Sequence, residues 1–363
     1  VMFPMTDNNF SILLPLKDRS AYTLRFLSYL NWIQFPYKVI IADGGKDERI
    51  PEILSRKENF PALEYEYIRY PYDATVASFY KKMADAVSRI ESATVAVLDN
   101  DDFIISEGIY KCLKILKESS GISSARGAIN QISISQDVFG TLQVAENMYT
   151  AFPNSISDPT AAGRLKDQTA HFHGNWHNIT RSNHVKACWE MINEVSPSNM
   201  RFTEQLTGYL NAIWGDGHRS DFYWLLHQQG QRIETEGGSL ADHYPAQQIW
   251  INSDYWLEDF KKMTEVIGVS ISEYDDISVE EGMSLFRKIY PLKLPGLNDL
   301  LEKRIKESEL LGYDEQRIQN LIKITQHNKV REIQLIDQIQ TNEFDAQREL
   351  KLLSHFLSSS EHK

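Results

Sequence analysis

The sequence predicts an α/β domain, a mostly parallel sheet flanked by helices, followed by a helical C-terminal extension. Three observations carry this expectation. Across the first hundred residues, short apolar runs alternate with segments of helical periodicity, the pattern of strands laid parallel by crossover helices. Every apolar run there ends in polar or charged residues. From Trp250 onward the pattern is mainly helical.

The elements follow in order. Phe10-Ser11-Ile12-Leu13-Leu14 reads as a buried strand stopped by Pro15. Residues 20–33 carry Leu24, Leu27, Tyr29 and Leu30 at helical spacing. Lys38-Val39-Ile40-Ile41-Ala42 is a second strand, closed by the turn residues Asp43-Gly44-Gly45. A short helix fits 49–58, and Leu63 to Ile68 alternates like a third strand. A helix over 75–91 gathers Phe79, Met83, Ala86, Val87 and Ile90 on one face. Thr94-Val95-Ala96-Val97-Leu98 is the fourth strand. Residues 105–118 are helical, 121–185 read as irregular strands and loops, and helices return near 184–194 and 202–213. Breaks in the C-terminal region fall at Pro291, Pro295 and Gly312. The final stretch from Asp314 is Gln-rich and lines up Ile318, Ile322, Val330, Ile333, Ile336 and Ile339. It is a surface for self-association or for folding back on the main domain. The expected division is a domain over 1–250, with halves 1–103 and 104–250, and an extension over 251–363.

Composition narrows the function. Thirty-eight basic against fifty acidic residues give a net charge of −12, which argues against a nucleic-acid or anionic-membrane binder but leaves room for a local basic pocket that takes a phosphate. Cys112 and Cys188 are the only cysteines and form no CxxC pattern, so neither a disulfide framework nor a thiolate zinc site is expected. No apolar stretch approaches the roughly 20 residues that span a bilayer. No signal peptide is evident at Val1-Met2-Phe3-Pro4, and the expected location is the cytoplasm. The sequon Asn178-Ile179-Thr180 is read as chance.

In an open parallel sheet, ligands bind beyond the carboxyl ends of the strands. Those ends read Pro15-Leu16-Lys17-Asp18-Arg19, Asp43-Gly44-Gly45-Lys46-Asp47, Arg69-Tyr70-Pro71-Tyr72-Asp73 and Asp99-Asn100-Asp101-Asp102. Carboxylates crowded into the last of these repel one another unless a cation is present. Oxygen ligation of that kind suits Mg²⁺ or Mn²⁺, with phosphate oxygens and water completing the shell.

Pro-Leu-Lys-Asp-Arg, Ala-Asp-Gly-Gly-Lys-Asp and Asp-Asn-Asp-Asp, each after a strand, resemble the three signatures of family 2 (GT-A fold) glycosyltransferases. The resemblance covers residues 10 to about 103 and fits 120–250 only loosely. It implies a GT-A-type, Rossmann-like sheet and a nucleotide-sugar donor whose base meets Asp43, Pro15 and Lys17. It also implies a divalent ion on Asp101 together with Asp99, with Asp99 and Asn100 touching the donor. Ala42 and Gly45 depart from the second signature. Lys82 is a candidate diphosphate contact. An inverting transferase also needs a carboxylate to take the acceptor's proton. Asp221, read as the start of an apolar helix after a loop, is the expected base, with Asp216 and Glu204 as substitutes. His243 is a candidate third metal ligand, better suited to Mn²⁺ than to Mg²⁺. In His171-Phe172-His173-Gly174-Asn175-Trp176-His177, Trp176 is expected to stack on an acceptor sugar and His173 to bind its hydroxyls. A zinc site on His171 and His173 is the weaker alternative.

Two rival functions follow from the same residues. A sugar-nucleotide nucleotidylyltransferase shares the topology but wants a Gly-rich loop after the first strand, which Pro15 to Arg19 lacks. A degenerate glycosyltransferase acting as a scaffold fits the departures at Ala42, Gly45 and Ser220.

Overall fold

The computed structural model describes residues 9–136, 142–147, 154–172, 174–229, 247–335, 351 and 353–357. His173 and His243, and the apolar positions Ile336 and Ile339, lie outside the described residues.

The first half follows the expected order: β1 (Phe10–Leu16), α1 (Ser20–Trp32), β2 (Lys38–Asp43), α2 (Arg49–Leu54), β3 (Tyr65–Arg69), α3 (Val76–Ser88) and β4 (Thr94–Val97). The strands lie side by side as β3-β2-β1-β4, all parallel. Strands covered on both faces must be apolar on both, and the two-residue period shows where each face goes. Ile12, Leu14, Leu16, Val39, Ile41 and Ala96 point into a core shared with α1 and with α4 (Ser106–Glu118). Leu13, Ile40, Ala42 and Val95 point into the opposite core with α3. The chain lays down β2 and β3 on one side of β1, then returns to lay β4 on the other. The crevice beyond β1 and β4 is therefore the topological switch point of the sheet.

β1 does not stop at Pro15 but continues to Leu16, and its register shows why proline is tolerated. In a parallel ladder the amide groups of alternate residues face alternate neighbours. Leu13 accepts from Leu98 N on the β4 side, and Leu16 accepts from Gly44 N on the β2 side. Pro15 thus turns its missing N–H toward β4, where pairing has ended at Leu13–Val97. The strand loses no ladder bond there.

The second half makes the sheet mixed rather than mostly parallel. Beyond β4 the order runs β8 (Ile179–Arg181), β6 (Ile122–Gln136), β9 (Asp216–Gln229) and β5 (Phe103–Ile104), with β7 (Leu142–Asn147) paired on β6. β8 is antiparallel to both β4 and β6, β6 is parallel to β9, and β9 is antiparallel to β5. This is an α/β fold built on a mixed sheet flanked by helices, with its parallel order confined to the first four strands.

Helices α5 (Ala161–Ala170), α6 (Ser182–Val195), α7 (Met200–Trp214) and α8 (Gln247–Ile251) lead into the C-terminal set. That set comprises α9 (Asp254–Asp275), α10 (Val279–Ile289), α11 (Asn298–Glu309) and α12 (Glu315–Leu335). Trp256, Phe260, Met263, Phe286 and Leu321 share one continuous apolar core with Leu13, Ile40 and Met83. Residues beyond 251 are thus built onto the sheet's helical face. α12 folds back on α6 and α9. Leu321 and Thr325 are buried there, and Asn183 donates to the Asn328 side chain at 2.9 Å. Val330 on the same helix is exposed. Farther on, Phe356 packs against Tyr29 and Trp32 of α1, with ring centroids 5.5 Å away in each case. Among the described residues, no helix is long and apolar enough to cross a membrane.

Candidate functional site

The acidic turn after β4 joins β4 to β5, and the strand register decides what meets it. Because β8 is antiparallel to β4 and begins opposite Ala96, the loop before β8 arrives at the carboxyl end of β4. There His177 donates its amide to Val97 O at 3.3 Å. Because β9 pairs with β5 through Leu226–Phe103, the next residue of β9, His227, lands beside Asp102. Two histidines distant in sequence are thereby delivered to one carboxylate.

Asp102 is fully buried between them. Its Oδ1 lies 2.7 Å from His227 Nδ1, and its Oδ2 lies 2.8 Å from His177 Nε2. Asp99, 40% exposed at the side chain, reaches the same His177 nitrogen at 3.2 Å. His177 has a left-handed backbone, φ 67°, and Trp224 Nε1 donates to its carbonyl at 2.9 Å. A non-glycine residue held in that region costs about 1–3 kcal/mol, and such residues gather at functional sites. Burial works against the His177 imidazolium, yet the Asp102 and Asp99 carboxylates overcome it and raise its pKa to about 10. For Asp102, burial opposes the charge, but His177 and His227 hold the carboxyl below its usual range.

Two imidazole nitrogens and one carboxylate oxygen, one ligand atom each from His177, His227 and Asp102, lie within 4.8 Å of one another and form a group able to hold a metal ion. The contact between His177 and Asp102 tests the fit. The two atoms are close, but they are not aligned as donor and acceptor, and neither has another hydrogen-bond partner. A cation that displaced the His177 proton would meet a nitrogen lone pair and a carboxylate oxygen already facing one another. A donor set of two imidazoles and a carboxylate suits Mn²⁺ better than Mg²⁺.

Asp101 turns away from this group. It forms an ion pair with Arg19 at 2.5 Å. Burial, then the neighbouring Asp102 and Asp99 charges, raise its pKa, while Arg19 lowers it. Asn100 is also structural in its contacts, donating to Thr23 Oγ1 at 2.9 Å. The candidate metal group therefore rests on Asp102 and two histidines, whereas the sequence pointed to Asp99, Asp101 and His243. Asp99 stands at its rim.

Across the switch point, Asp18 and Arg19 both adopt φ 59°. The Asp18 carboxylate holds the loops together by accepting from Lys46 N at 2.6 Å and Asp47 N at 3.1 Å. Glycine is required next to it: a Cβ on Gly45 would lie 2.5 Å from Asp18 N, and one on Gly44 would lie 2.4 Å from the Asp73 carboxylate. Gly45 thus departs from the family signature for a steric reason. Asp43 is buried, accepting from Tyr67 at 2.7 Å, Arg69 at 2.6 Å and Gly45 N at 2.8 Å. Lys82 is only 2% exposed; its ammonium bonds Asp73 and donates to Leu16 O at 2.9 Å. It braces the end of β1 from below and does not present its charge to the cleft. Lys17, at the rim, lies over the Tyr72 ring, 5.1 Å from its centroid.

Three expectations need correction. Asp221 does not begin a helix: it is an exposed residue within β9. The run Phe222-Tyr223-Trp224-Leu225-Leu226 has no helical face because Leu225 and Leu226 pair across to both β5 and β6 while α4 packs on the strand. Six residues separate Asp221 from His227 on this strand. β9 bulges over this stretch, and its partner β6 advances only about four residues, so Asp221 stands roughly 13 Å from His227 at about 3.3 Å per residue. Trp176 is half-buried, its indole edge-on to Trp189 with centroids 6.3 Å apart, and it borders a partly open pocket of about 30 Å³. It packs against the core rather than standing free for a sugar ring to stack on. His171 caps the end of α5 rather than lying on a strand.

No family model and no curated protein matches this sequence. Among solved structures, the fold is similar to that of S. aureus TarS 1-349 in complex with UDP-GlcNAc. That likeness has 14% identity and a TM-score of 0.48, covering 93% of this chain and 94% of that one. It is also similar to TarS 1-349 in complex with UDP, at 12% identity and a TM-score of 0.45, covering 89% and 92%.

Proposed function

We propose that the protein is a metal-assisted glycosyltransferase that moves a sugar from a nucleoside diphosphate donor to an acceptor hydroxyl, as in glycan synthesis. The observation that carries this reading is the convergence of Asp102, His177 and His227 at the switch point of the sheet. It coincides with the turn that resembles the third signature of family 2. A divalent ion held there would supply positive charge against the diphosphate as it departs.

The chain's own groups have separate tasks. Asp102 orients both imidazoles and keeps them facing one point. Asp99, at the rim, faces the donor. Arg19 sits at the amino end of α1, where backbone N–H groups also favour an anion. Releasing Asp101 would let its guanidinium meet a phosphate oxygen. Pro15 and Lys17 border the place of the base. Inversion is the stereochemical outcome we assign: the acceptor oxygen bonds to C1 from one face while the bond from C1 to the diphosphate breaks on the other, and the hydroxyl proton leaves to a carboxylate.

The test is calorimetric titration of a panel of nucleoside diphosphate sugars with and without Mn²⁺, on the parent and on His227→Ala. Donor binding that strengthens with Mn²⁺ in the parent but not in the variant is expected. Equal binding in all four conditions would sink the proposal, and metal-dependent exchange of pyrophosphate into the donor would replace it with nucleotidyl transfer.

A further inference from the structure

A second concentration of charge lies away from the acidic turn, where β6 and β9 run side by side. Their parallel register sets Arg126 opposite Arg219. Arg126 is 7% exposed. Arg219 is half-buried and donates to His218 O at 3.1 Å. Its guanidinium lies against Gly217, where even a Cβ would come within 3.4 Å of it. Like charges side by side and withdrawn from water repel one another, and burial penalises each separately.

The surroundings offer no relief. Among the described residues, no carboxylate bears on either guanidinium. The titratable group that does is the Cys112 thiol of α4, and burial pushes it away from ionisation. Asp216, at the start of β9, accepts from Ser157 Oγ at 3.0 Å, and Asp221 is exposed. The consequence shows in both arginines. Burial lowers Arg126 to about 10, and burial followed by the Arg126 charge lowers Arg219 to about 9. A structural arginine pair normally comes with an acid. This pair lacks one and keeps a solvent-facing side at Arg219.

We propose that Arg126 and Arg219 form a binding site for a doubly charged tetrahedral oxyanion, a phosphate or a phosphomonoester, separate from the acidic turn. Two guanidinium forks match the oxygens of such a group with paired N–H donors. Eight residues of β9 separate Arg219 from His227. Bulges shorten that stretch: over it β6 advances only the five residues from Arg126 to Gln131, roughly 16 Å at about 3.3 Å per residue, which still places the arginine pair outside the Asp102 group. The inference does not depend on the glycosyltransferase reading.

The experiment uses the full chain in phosphate-free buffer of constant ionic strength, with a chelator present so that no metal-bound anion contributes. Inorganic phosphate and glycerol 3-phosphate are titrated against the parent, Arg219→Met and Arg126→Met, following thermal midpoint and heat of binding. The parent should gain stability with either anion, and both variants should lose the response. Without phosphate, Arg219→Met should be at least as stable as the parent, because repulsion is relieved; a merely structural arginine would give the opposite. Tighter binding of the ester identifies a phosphorylated molecule as the occupant, and tighter binding of inorganic phosphate identifies the free ion. If a Met variant fails to fold, Arg219→Lys keeps the charge and removes the fork, and affinity should fall about tenfold. An equal phosphate response in parent and variants, or none in the parent, overturns the proposal.

Discussion

The two halves of the sheet hold the same kind of chain but place their functional residues by different means. In the β3-β2-β1-β4 half, each candidate residue sits at the end of its own strand, so Lys17, Asp43 and Asp99 follow directly from the local pattern. In the β8, β6, β9 and β5 half, His177 and His227 reach Asp102 only through pairings between segments distant in sequence. A strand end is a local property, and a register is not. The first half supplies the acidic turn, and the second supplies the imidazoles that make it a metal group.

The largest expected effect breaks the junction between the halves. Asp102→Ala leaves two facing histidines without their carboxylate, in a place where Asp102 is fully buried. Removing one partner of a buried charge pair costs about 3–5 kcal/mol. Denaturant unfolding in metal-free buffer should show that loss, and Mn²⁺ should no longer raise stability. A variant as stable as the parent, and still stabilised by Mn²⁺, would mean that the junction is held by something else.

Within the parallel half, the sharpest test is Lys82. Its sequence position suggested a diphosphate contact, whereas its pairing with Asp73 beneath Leu16 indicates a brace. Burial lowers its pKa, and Asp73 raises it. Lys82→Met strands Asp73 and should cost about 3–5 kcal/mol, most of which Lys82→Met with Asp73→Leu should restore. Loss of donor binding without loss of stability would return Lys82 to the cleft. Leu13→Ala, in the same half, removes a fully buried side chain between β2 and β4 and should cost about 2–5 kcal/mol by thermal or urea unfolding.

How much of this was legible follows the same division. The four parallel strands, α1, α3 and α4 are readable because each carries its own apolar period and its own stop. Pro15 misled by two residues, since whether proline ends a strand depends on which neighbour its missing N–H faces. The role of Asp102 was hidden by its neighbours: Asp99 and Asp101 fit the family signature, and nothing in four adjacent residues says which carboxylate turns inward. His177 was visible only as part of a His-rich segment. His227 was invisible, because Phe222 to Leu226 is an apolar run too short for periodicity to decide between helix and buried strand. The cost of that ambiguity was Asp221.

Asp221 therefore gives the smallest expected effect and the most direct comparison of the two readings. As the first residue of a helix beside the cleft it would be a base, and Asp221→Asn would remove nearly all transfer. As an exposed residue of a bulged β9, roughly 13 Å from His227, it makes no contact with the Asp102 group. Surface substitutions away from special features stay within about 0.5 kcal/mol, so transfer should remain within about twofold of the parent and unfolding should hardly move. The comparison is informative because Asp→Asn keeps shape and removes only charge. A hundredfold fall in turnover with unchanged stability would show that β9 brings Asp221 back to the acceptor when donor binds, and the long strand, rather than the turn, would then be the moving part of the site.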